Sequence, residues 1–359
     1  MTDKTRNLAI QHGVVLAPRT TFGIGGEAEF FGEFGSVREL QTALAYARGK
    51  GWKVTILGGG SNVLISDQGL SGLVVVPALK NLDVIKEDDN EVRIKVGAGV
   101  VWDDFVSHSV QAGFAGIECL SGIPGWVGAA PIQNIGAYGQ EVSSSIQEVE
   151  VMSLVDGQSF LVRGDACGFG YRESNFKKDW LGKYLVTGVV FCLSKTRVEP
   201  LVYRDLIRAF GKTVVDDLSE IRKCVLNIRR QKSMVIDDHD LNSKSAGSFF
   251  TNVVVDESEL RSLKSALSRM GILEESLPLY PTEGGKRFKV PAAWLIEKAG
   301  FSKGYRMGRA GLSEKHTLAI INAEQAGATD ILALANTIGD RVHELFQVTL
   351  IREPTWLGD

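Results

Sequence analysis

One segment constrains this chain more than any other: the nineteen residues Ser121–Gly139, reading SGIPGWVGAAPIQNIGAYG. They contain no charged side chain and combine glycine and proline with apolar, aromatic and amide groups. That makes a poor solvated loop, and a long connection in a compact domain is usually functional or packed inside. On pattern alone two readings stay open. One is an internal loop packed for structure. The other is a wall that lays bare backbone against a flat ligand, with Gln133 and Asn134 reading ring nitrogens and carbonyls.

The glycine excess is general. Of 359 residues 40 are glycine, about 11% against a usual share of roughly 7%. The 44% apolar and 23% charged content excludes a disordered chain. A single core stops growing near roughly 250–300 residues, so two or three domains are expected. The net charge of −3, with both signs mixed, argues against a general nucleic-acid binder. No stretch approaches the roughly 18 apolar residues of a membrane helix. The opening MTDKTRNLAIQHG has no leader-like apolar segment, so a cytoplasmic protein is expected. Cys119, Cys167, Cys192 and Cys224 form no CxxC pair and the five histidines are scattered. Reduced, mostly buried thiols are expected, with neither a zinc site nor a disulfide framework.

Local patterns give an order of elements. Ser36 and Glu39 form a capping box before an apolar stripe at Leu40, Ala43, Leu44 and Ala47, which predicts a helix closed by Gly49 and Gly51. Val54–Leu57 reads as a short buried strand and Leu73–Val76 as another. Val92, Ile94 and Val96 alternate with charges as in a half-buried strand. Trp102, Phe105, Val106 and Val110 suit a helix. Asp156-Gly157 between Val149–Leu154 and Ser159–Val162 predicts a hairpin. Tyr184–Leu193 is a further strand. Helices are expected after Asp217, after Asp256 to about Met270, over Ala292–Ala299, and along Ile331, Ala335, Ile338, Val342 and Leu345. Thr317–Ile321 and Phe346–Ile351 read as strands.

Two tempting motifs fail on context. Gly23-Ile24-Gly25-Gly26-Glu27-Ala28 fits a dinucleotide fingerprint, but no strand precedes it and Ala28–Phe31 reads as extended. Gly211-Lys212-Thr213 ends like a P-loop, yet Leu206 stands where the motif needs glycine. Gly58-Gly59-Gly60-Ser61-Asn62 is better placed, directly after a strand. Its backbone N–H groups suit a nest for phosphate oxygens, without the P-loop lysine. A wide surface turn is the equal alternative at this point. Arg172, beside Tyr171, is a candidate anion ligand or a surface ion-pair partner. Ser248 is a candidate or a turn residue. Arg229, Arg230 and Lys232 complement a helix dipole or neutralise a diphosphate. Glu353-Pro354 reads as a frayed tail.

The runs PRTTFGIGG, LGGGSNVLI, IPGWVGAAPIQNIGAYG, FGYRESNFK, RRQK, AGSFFTN and LIREPTWLG occur in this order from about residue 18 to 357. Together they resemble the UDP-N-acetylenolpyruvoylglucosamine reductase family, flavoenzymes of peptidoglycan precursor synthesis. The segment Leu201–Leu206 resembles the longer form of that family, which keeps a tyrosine-bearing loop over the substrate. The resemblance implies an α+β fold. A vanillyl-alcohol-oxidase-type pair of subdomains binds FAD, and a C-terminal α+β domain binds the UDP-sugar. The implied ranges are 1–80, joined by the tail 352–359, then 81–230, then 231–351. FAD and NADPH are the implied cofactor and co-substrate. The expected partners are small molecules, with no nucleic acid and no membrane, and the chain is expected to be a monomer. A flavin oxidase of the same cofactor fold, or a UDP-sugar binding protein without flavin, are the rival readings.

The resemblance also assigns residues. It places the FAD pyrophosphate on Gly58, Gly59, Gly60, Ser61 and Asn62. The flavin ring falls on Ile123, Pro124, Gly125, Ala129, Asn134, Gly136, Ala137 and Gly139. Arg172 and Glu353 are implied to polarise the substrate carboxylate and stabilise an enolate, and Ser248 to give a proton to C2. Tyr171, Tyr203, Lys232, Asn252, Tyr280 and Lys303 are implied around the UDP-sugar. Two departures stand out. Val253 follows Asn252 where relatives often have proline. Ala129 stands where some members carry serine, leaving one flavin hydrogen bond to backbone or water.

Overall fold

The structure, a computed structural model, describes residues 8–196, 199–282 and 285–358. Residues 1–7 and 359, which belong to the first implied range and the tail, lie outside it.

The chain begins with a four-stranded sheet ordered Gln11–Val15, Glu27–Phe34, Leu70–Pro77 and Val54–Ile56. The first pair is antiparallel and the others parallel. Helix α1, Val37–Lys50, crosses between Glu27–Phe34 and Val54–Ile56. The Ser36 hydroxyl accepts from Glu39 N while the Glu39 carboxylate accepts from Ser36 N, so the capping box closes as expected. The stripe Leu40, Ala43, Leu44 and Ala47 is buried on the sheet, and Gly51 ends the helix in the left-handed region. Leu70–Pro77, central and parallel, is buried on both faces over most of its length.

Next comes an antiparallel five-stranded sheet in the order Ser159–Arg163, Ile146–Ser153, Tyr184–Ser194, Glu91–Gly97 and Leu82–Glu87. Val92, Ile94 and Val96 are fully buried, while Arg93 and Lys95 pair with Glu91 and Glu150 on the wetter face. The hairpin at Asp156-Gly157 forms as expected. Helix α2, Trp102–Gln111, buries Trp102, Phe105, Val106 and Val110 in this core. Each such side chain contributes about 1.5–3 kcal/mol of burial free energy. Helices α3, Arg204–Phe210, and α4, Leu218–Gln231, lead out of the sheet, and the Asp217 side chain caps α4.

The last part carries two three-stranded sheets and three helices: α5, Glu257–Arg269, α6, Ala292–Lys298, and α7, Ala328–Phe346. The α7 face made by Ile331, Ala335, Ile338 and Val342 packs on Leu263, Leu267, Leu295 and Ile296. All four cysteines are free, two of them buried. Among the described residues no helix is long and apolar enough to cross a membrane.

Three local expectations need correction. The strand expected over Thr317–Ile321 is Ile320–Asn322. Thr317 is buried because its hydroxyl donates to Glu297 Oε1 at 2.5 Å, in a turn rather than a ladder. No strand runs over Phe346–Ile351: Phe346 ends α7, and Gln347 turns the chain at φ 57°. The tail is not frayed either. Thr355–Leu357 forms a parallel strand beside Val63–Ile65, closing the C-terminus onto the first sheet region.

Candidate active site

A cavity of about 530 Å³ runs between the first two regions and is closed at one end by the third. Its size lies in the ordinary range of small-molecule sites, roughly 300–1,000 Å³. Strand Val54–Ile56 forms part of the wall, so it is half-buried rather than buried as expected.

Gly58–Asn62 follows that strand and lines the cavity. Among the described residues its backbone N–H groups donate to no protein acceptor, which is unusual for partly buried backbone and defines an anion nest. The loop is clamped from behind. Ser61 Oγ donates to Pro124 O at 3.0 Å, Thr21 N donates to Gly60 O at 3.1 Å, and Asn62 Nδ2 donates to Gln133 Oε1 at 2.5 Å. A Cβ at Gly59 would lie 3.0 Å from both Gly125 Cα and Trp126 Cδ1, so backbone packs on backbone here.

The uncharged segment 121–139 divides between its two readings. Gly128 N donates to Ala98 O at 2.9 Å and Val127 N to Val100 O at 2.9 Å, which is internal packing. Ile123, Pro124, Ala129 and Gly136 line the cavity. Asn134 is fully buried, and its side chain donates to Glu141 and to Gly170 O and accepts from Ser143 N. Its amide thus holds a turn. Ala137, in a two-residue strand, lies outside the cavity lining. Gly139 lies against Val202 of the tyrosine-bearing loop, where a Cβ would meet Cγ2 at 2.3 Å.

The turn that Asn134 holds is Gly170–Glu173, closed by two backbone hydrogen bonds. Arg172 sits in it at φ 56°, a conformation that costs a non-glycine residue roughly 1–2 kcal/mol. Its guanidinium donates to the carbonyls of Asn134 and Gly136, and Nε lies 3.3 Å from Glu353 Oε1. Glu353 arrives from the far end of the sequence. Its N–H donates to Phe249 O at 2.9 Å, Thr251 N donates to Ile351 O at 3.0 Å, and Thr355 N donates to Asn62 O at 3.0 Å. The tail therefore stitches the Ser248 loop to the Gly58–Asn62 loop. Burial raises the Glu353 carboxyl above the usual carboxylate range, against the pull of Arg172 and Lys177. Ser248, next to the buried anchors Phe249 and Phe250, faces the same cavity as Arg172 and Glu353.

A second group gathers outside this centre. The Tyr171 hydroxyl hydrogen-bonds at Asn252, and Lys289 Nζ sits 3.7 Å over the Tyr171 ring. Tyr203, at the start of α3, packs edge-on against Tyr138 at 5.1 Å. Its phenol is raised by burial, with Asp205, Tyr280 and Tyr171 adding to the effect. Lys232 Nζ donates to Asp205 Oδ2 at 3.0 Å. Lys232 and Lys303 both act on His316, which burial and these cations push down to about 4. Tyr171, Tyr203 and Tyr280 are thus near enough to act on one another, with Asn252 bonded to Tyr171, while Lys232 and Lys303 both act on His316. None of these six expected substrate residues lines the cavity itself.

Arg229, read from the sequence as a dipole complement or a diphosphate ligand, stands in the last turn of α4 and lines the cavity, donating from Nη2 to Met234 O at 2.7 Å. Its Nε is buried with no hydrogen-bond partner among the described residues, which a native structure rarely tolerates without a ligand or water. The unsatisfied nest, this orphaned donor and the apolar walls fit an elongated cofactor with an anionic linker and a flat, polar-edged ring.

Residues 29–161 match the FAD binding domain family. Fold and cleft define a flavoprotein with an FAD binding domain in its N-terminal half and a C-terminal α+β domain. Residues 239–357 match the C-terminal domain of UDP-N-acetylenolpyruvoylglucosamine reductase. The chain is 41% identical to the UDP-N-acetylenolpyruvoylglucosamine reductase of Thermobifida fusca (strain YX), across 96% of this chain and 97% of that one. It is also 41% identical to the enzyme of that name from Streptomyces coelicolor, across 97% and 90%. The crystal structure of the Thermus caldophilus reductase superposes with a TM-score of 0.65 at 25% identity, covering 98% of this chain and all of that one. The chain belongs to the UDP-N-acetylenolpyruvoylglucosamine reductase family.

Proposed function

We propose that this chain reduces the enolpyruvyl ether of UDP-N-acetylglucosamine to UDP-N-acetylmuramate, with NADPH as the electron source and FAD as the carrier. The observation that carries this reading is that Arg172, paired with Glu353, and Ser248, beside the Phe249 carbonyl that Glu353 N bonds, line one cavity with the Gly58–Asn62 loop. We place the reaction in the cytoplasm, on a monomer acting on small molecules. We divide the chain into 1–80 with the tail 352–359, 81–230 and 231–351.

Bound FAD supplies hydride transfer, from NADPH to C3 of the enolpyruvyl group. Gly58–Asn62 would hold its pyrophosphate with backbone N–H groups, and Ile123–Gly125, Ala129 and Gly136 would flank its ring beside the Arg229 Nε donor. Hydride at C3 leaves an electron pair at C2, delocalised into the substrate carboxylate. Arg172 meets that charge with a guanidinium already fixed on two carbonyls, so little reorganisation is needed. Glu353, biased by burial toward its protonated form, can donate a hydrogen bond to the enolate. Ser248 Oγ gives its proton to C2 and completes the lactyl ether. Tyr203, Tyr280, Lys232 and Lys303 would hold the UDP part, with Tyr171 and Asn252 between it and the reacting end.

Anaerobic stopped-flow tests the reading directly. NADPH should bleach the flavin of the holoenzyme, and the enolpyruvyl UDP-sugar should restore its colour in a single turnover. Bleaching by NADPH without recovery on adding substrate would favour a flavin enzyme with another acceptor. Lys232→Ala should raise the substrate Kd about 10–100-fold, the worth of one hydrogen bond to a charged group, and leave flavin content intact. An unchanged Kd by titration removes Lys232 from the nucleotide site.

A further inference from the structure

The reaction set out above leaves Lys177, a half-buried cation, without a task. Lys177 lines the cavity. It closes the single turn Asn175–Lys177, in which Ser174 Oγ accepts from Phe176 N. That turn is rigidly placed. Ser174 Oγ donates to Ile132 O in the uncharged wall, Asn175 Nδ2 donates to Ala166 O at 3.0 Å, and Phe176 is buried. From this platform Lys177 Nζ donates to the backbone carbonyl of Arg172 at 3.1 Å.

That contact falls on the residue where a hold is most needed. Arg172 occupies the left-handed region at φ 56°, and a non-glycine residue stays there only when its surroundings over-determine it. Asn134 holds the turn from the Gly170 side, and Lys177 holds it from the Arg172 side. Among the described residues the charged and titratable groups around the centre are Arg172, Glu353, Lys177 and Tyr171, with Glu173 acting on Lys177, Glu141 held on the Asn134 amide, and Lys289, on which both Glu141 and Arg172 act. Glu173 is itself engaged by Lys178 at 2.7 Å.

We propose that Lys177 is a positioning residue of this site: its ammonium fixes the Arg172 carbonyl, and so the turn that aims the guanidinium, while its charge acts on the neighbouring Glu353 carboxyl. The proposal rests on the function given above, in which Arg172 and Glu353 serve the substrate half of the cycle. The two groups influence each other in the expected directions. Lys177 pulls the Glu353 carboxyl down against the effect of burial, and burial lowers Lys177 while Glu353 raises it. Removing the lysine charge therefore lets Glu353 hold its proton to higher pH.

The test uses the holoenzyme and its two half-reactions, followed by stopped-flow across pH for wild type, Lys177→Met, Lys177→Gln and Lys177→Arg. Wild type comes first: if substrate does not reoxidise its reduced flavin, the functional reading fails before Lys177 is reached. Given that control, Lys177→Met should slow reoxidation by substrate about 10–100-fold, while reduction by NADPH stays within about 2-fold. The pH limb belonging to Glu353 should move upward by about one unit. Lys177→Arg, which keeps charge and donor, should restore the limb to the wild-type pH and most of the rate. Lys177→Gln keeps a donor without the charge, so it should recover part of the rate and leave the limb displaced. A limb that stays put in both neutral variants overturns the proposal. Equal losses in both half-reactions overturn it too, since that is what general damage would produce. If Lys177→Met fails to retain flavin, the Gln and Arg profiles decide in the same way.

Discussion

Ser248→Ala is expected to leave reduction of the flavin by NADPH near the wild-type rate and to slow its reoxidation by the enolpyruvyl substrate about 10³-fold, within the usual 10²–10⁴ range for a positioned general acid. A serine hydroxyl is a feeble acid in water. It becomes adequate opposite a carbanion, whose conjugate acid is weaker still. The variant is also structurally quiet. The Ser248 loop is held by its neighbours: Phe249 N donates to Leu318 O at 2.8 Å, Glu353 N donates to Phe249 O, and Phe249 and Phe250 are buried. Removing one oxygen disturbs none of these. Anaerobic stopped-flow with each reactant in turn reads the two halves separately. Comparable loss in both halves would mean that the serine supports the site generally and that the proton comes from elsewhere.

Serine at this position carries no local signal, and the same holds for much of the centre. Features set by neighbours in sequence were legible. The Ser36–Glu39 box, the Val92–Val96 alternation, the Asp156-Gly157 hairpin and the α7 stripe all formed where pattern placed them, because each depends on contacts within a few residues. Features set by distant partners were not. The apolar run after α7 reads as a strand, yet Gln347 turns the chain out of the helix and the strand forms later, where Val63–Ile65 offers an edge. That pairing joins residues almost 300 positions apart, so composition could only suggest a loose end. Arg229 does stand in the last turn of α4, but pattern could not choose between a dipole complement and a ligand, because periodicity does not reveal which face of the helix meets a cavity. Asn134 looked like a ligand amide, and the structure gives its donors to Glu141 and Gly170. The ordered set of motifs did identify the family, and the structure then explained why Arg172 and Glu353 are partners: a two-residue turn and a returning tail meet under the uncharged wall.

The other large effect concerns the nest itself. Gly60→Ala should cost about 4 kcal/mol or more, at the exceptional end for one substitution, and should yield protein that purifies with little FAD. Gly60 sits at φ 64°, which an alanine adopts only under strain. The larger penalty is steric. An added Cβ would lie 1.8 Å from the Arg19 carbonyl oxygen and 2.9 Å from its carbon. These are backbone atoms, so no side-chain rotation relieves the clash. The Arg19 segment cannot retreat easily either, because Thr21 N is bonded to Gly60 O and Thr20 Oγ1 to Ile24 O. The loop must move, and its N–H groups then lose their common focus. Gly339→Ala is the proper contrast. It lies within α7 with no heavy atom within 4 Å of the new Cβ, so alanine there should stabilise the helix by about 0.5–1 kcal/mol. Flavin content, and the temperature at which flavin fluorescence is released, measure both variants on one scale. A Gly60→Ala protein that keeps its full flavin and its release temperature would show that the anion is held elsewhere. A fall confined to Gly60→Ala ties the nest to the cofactor.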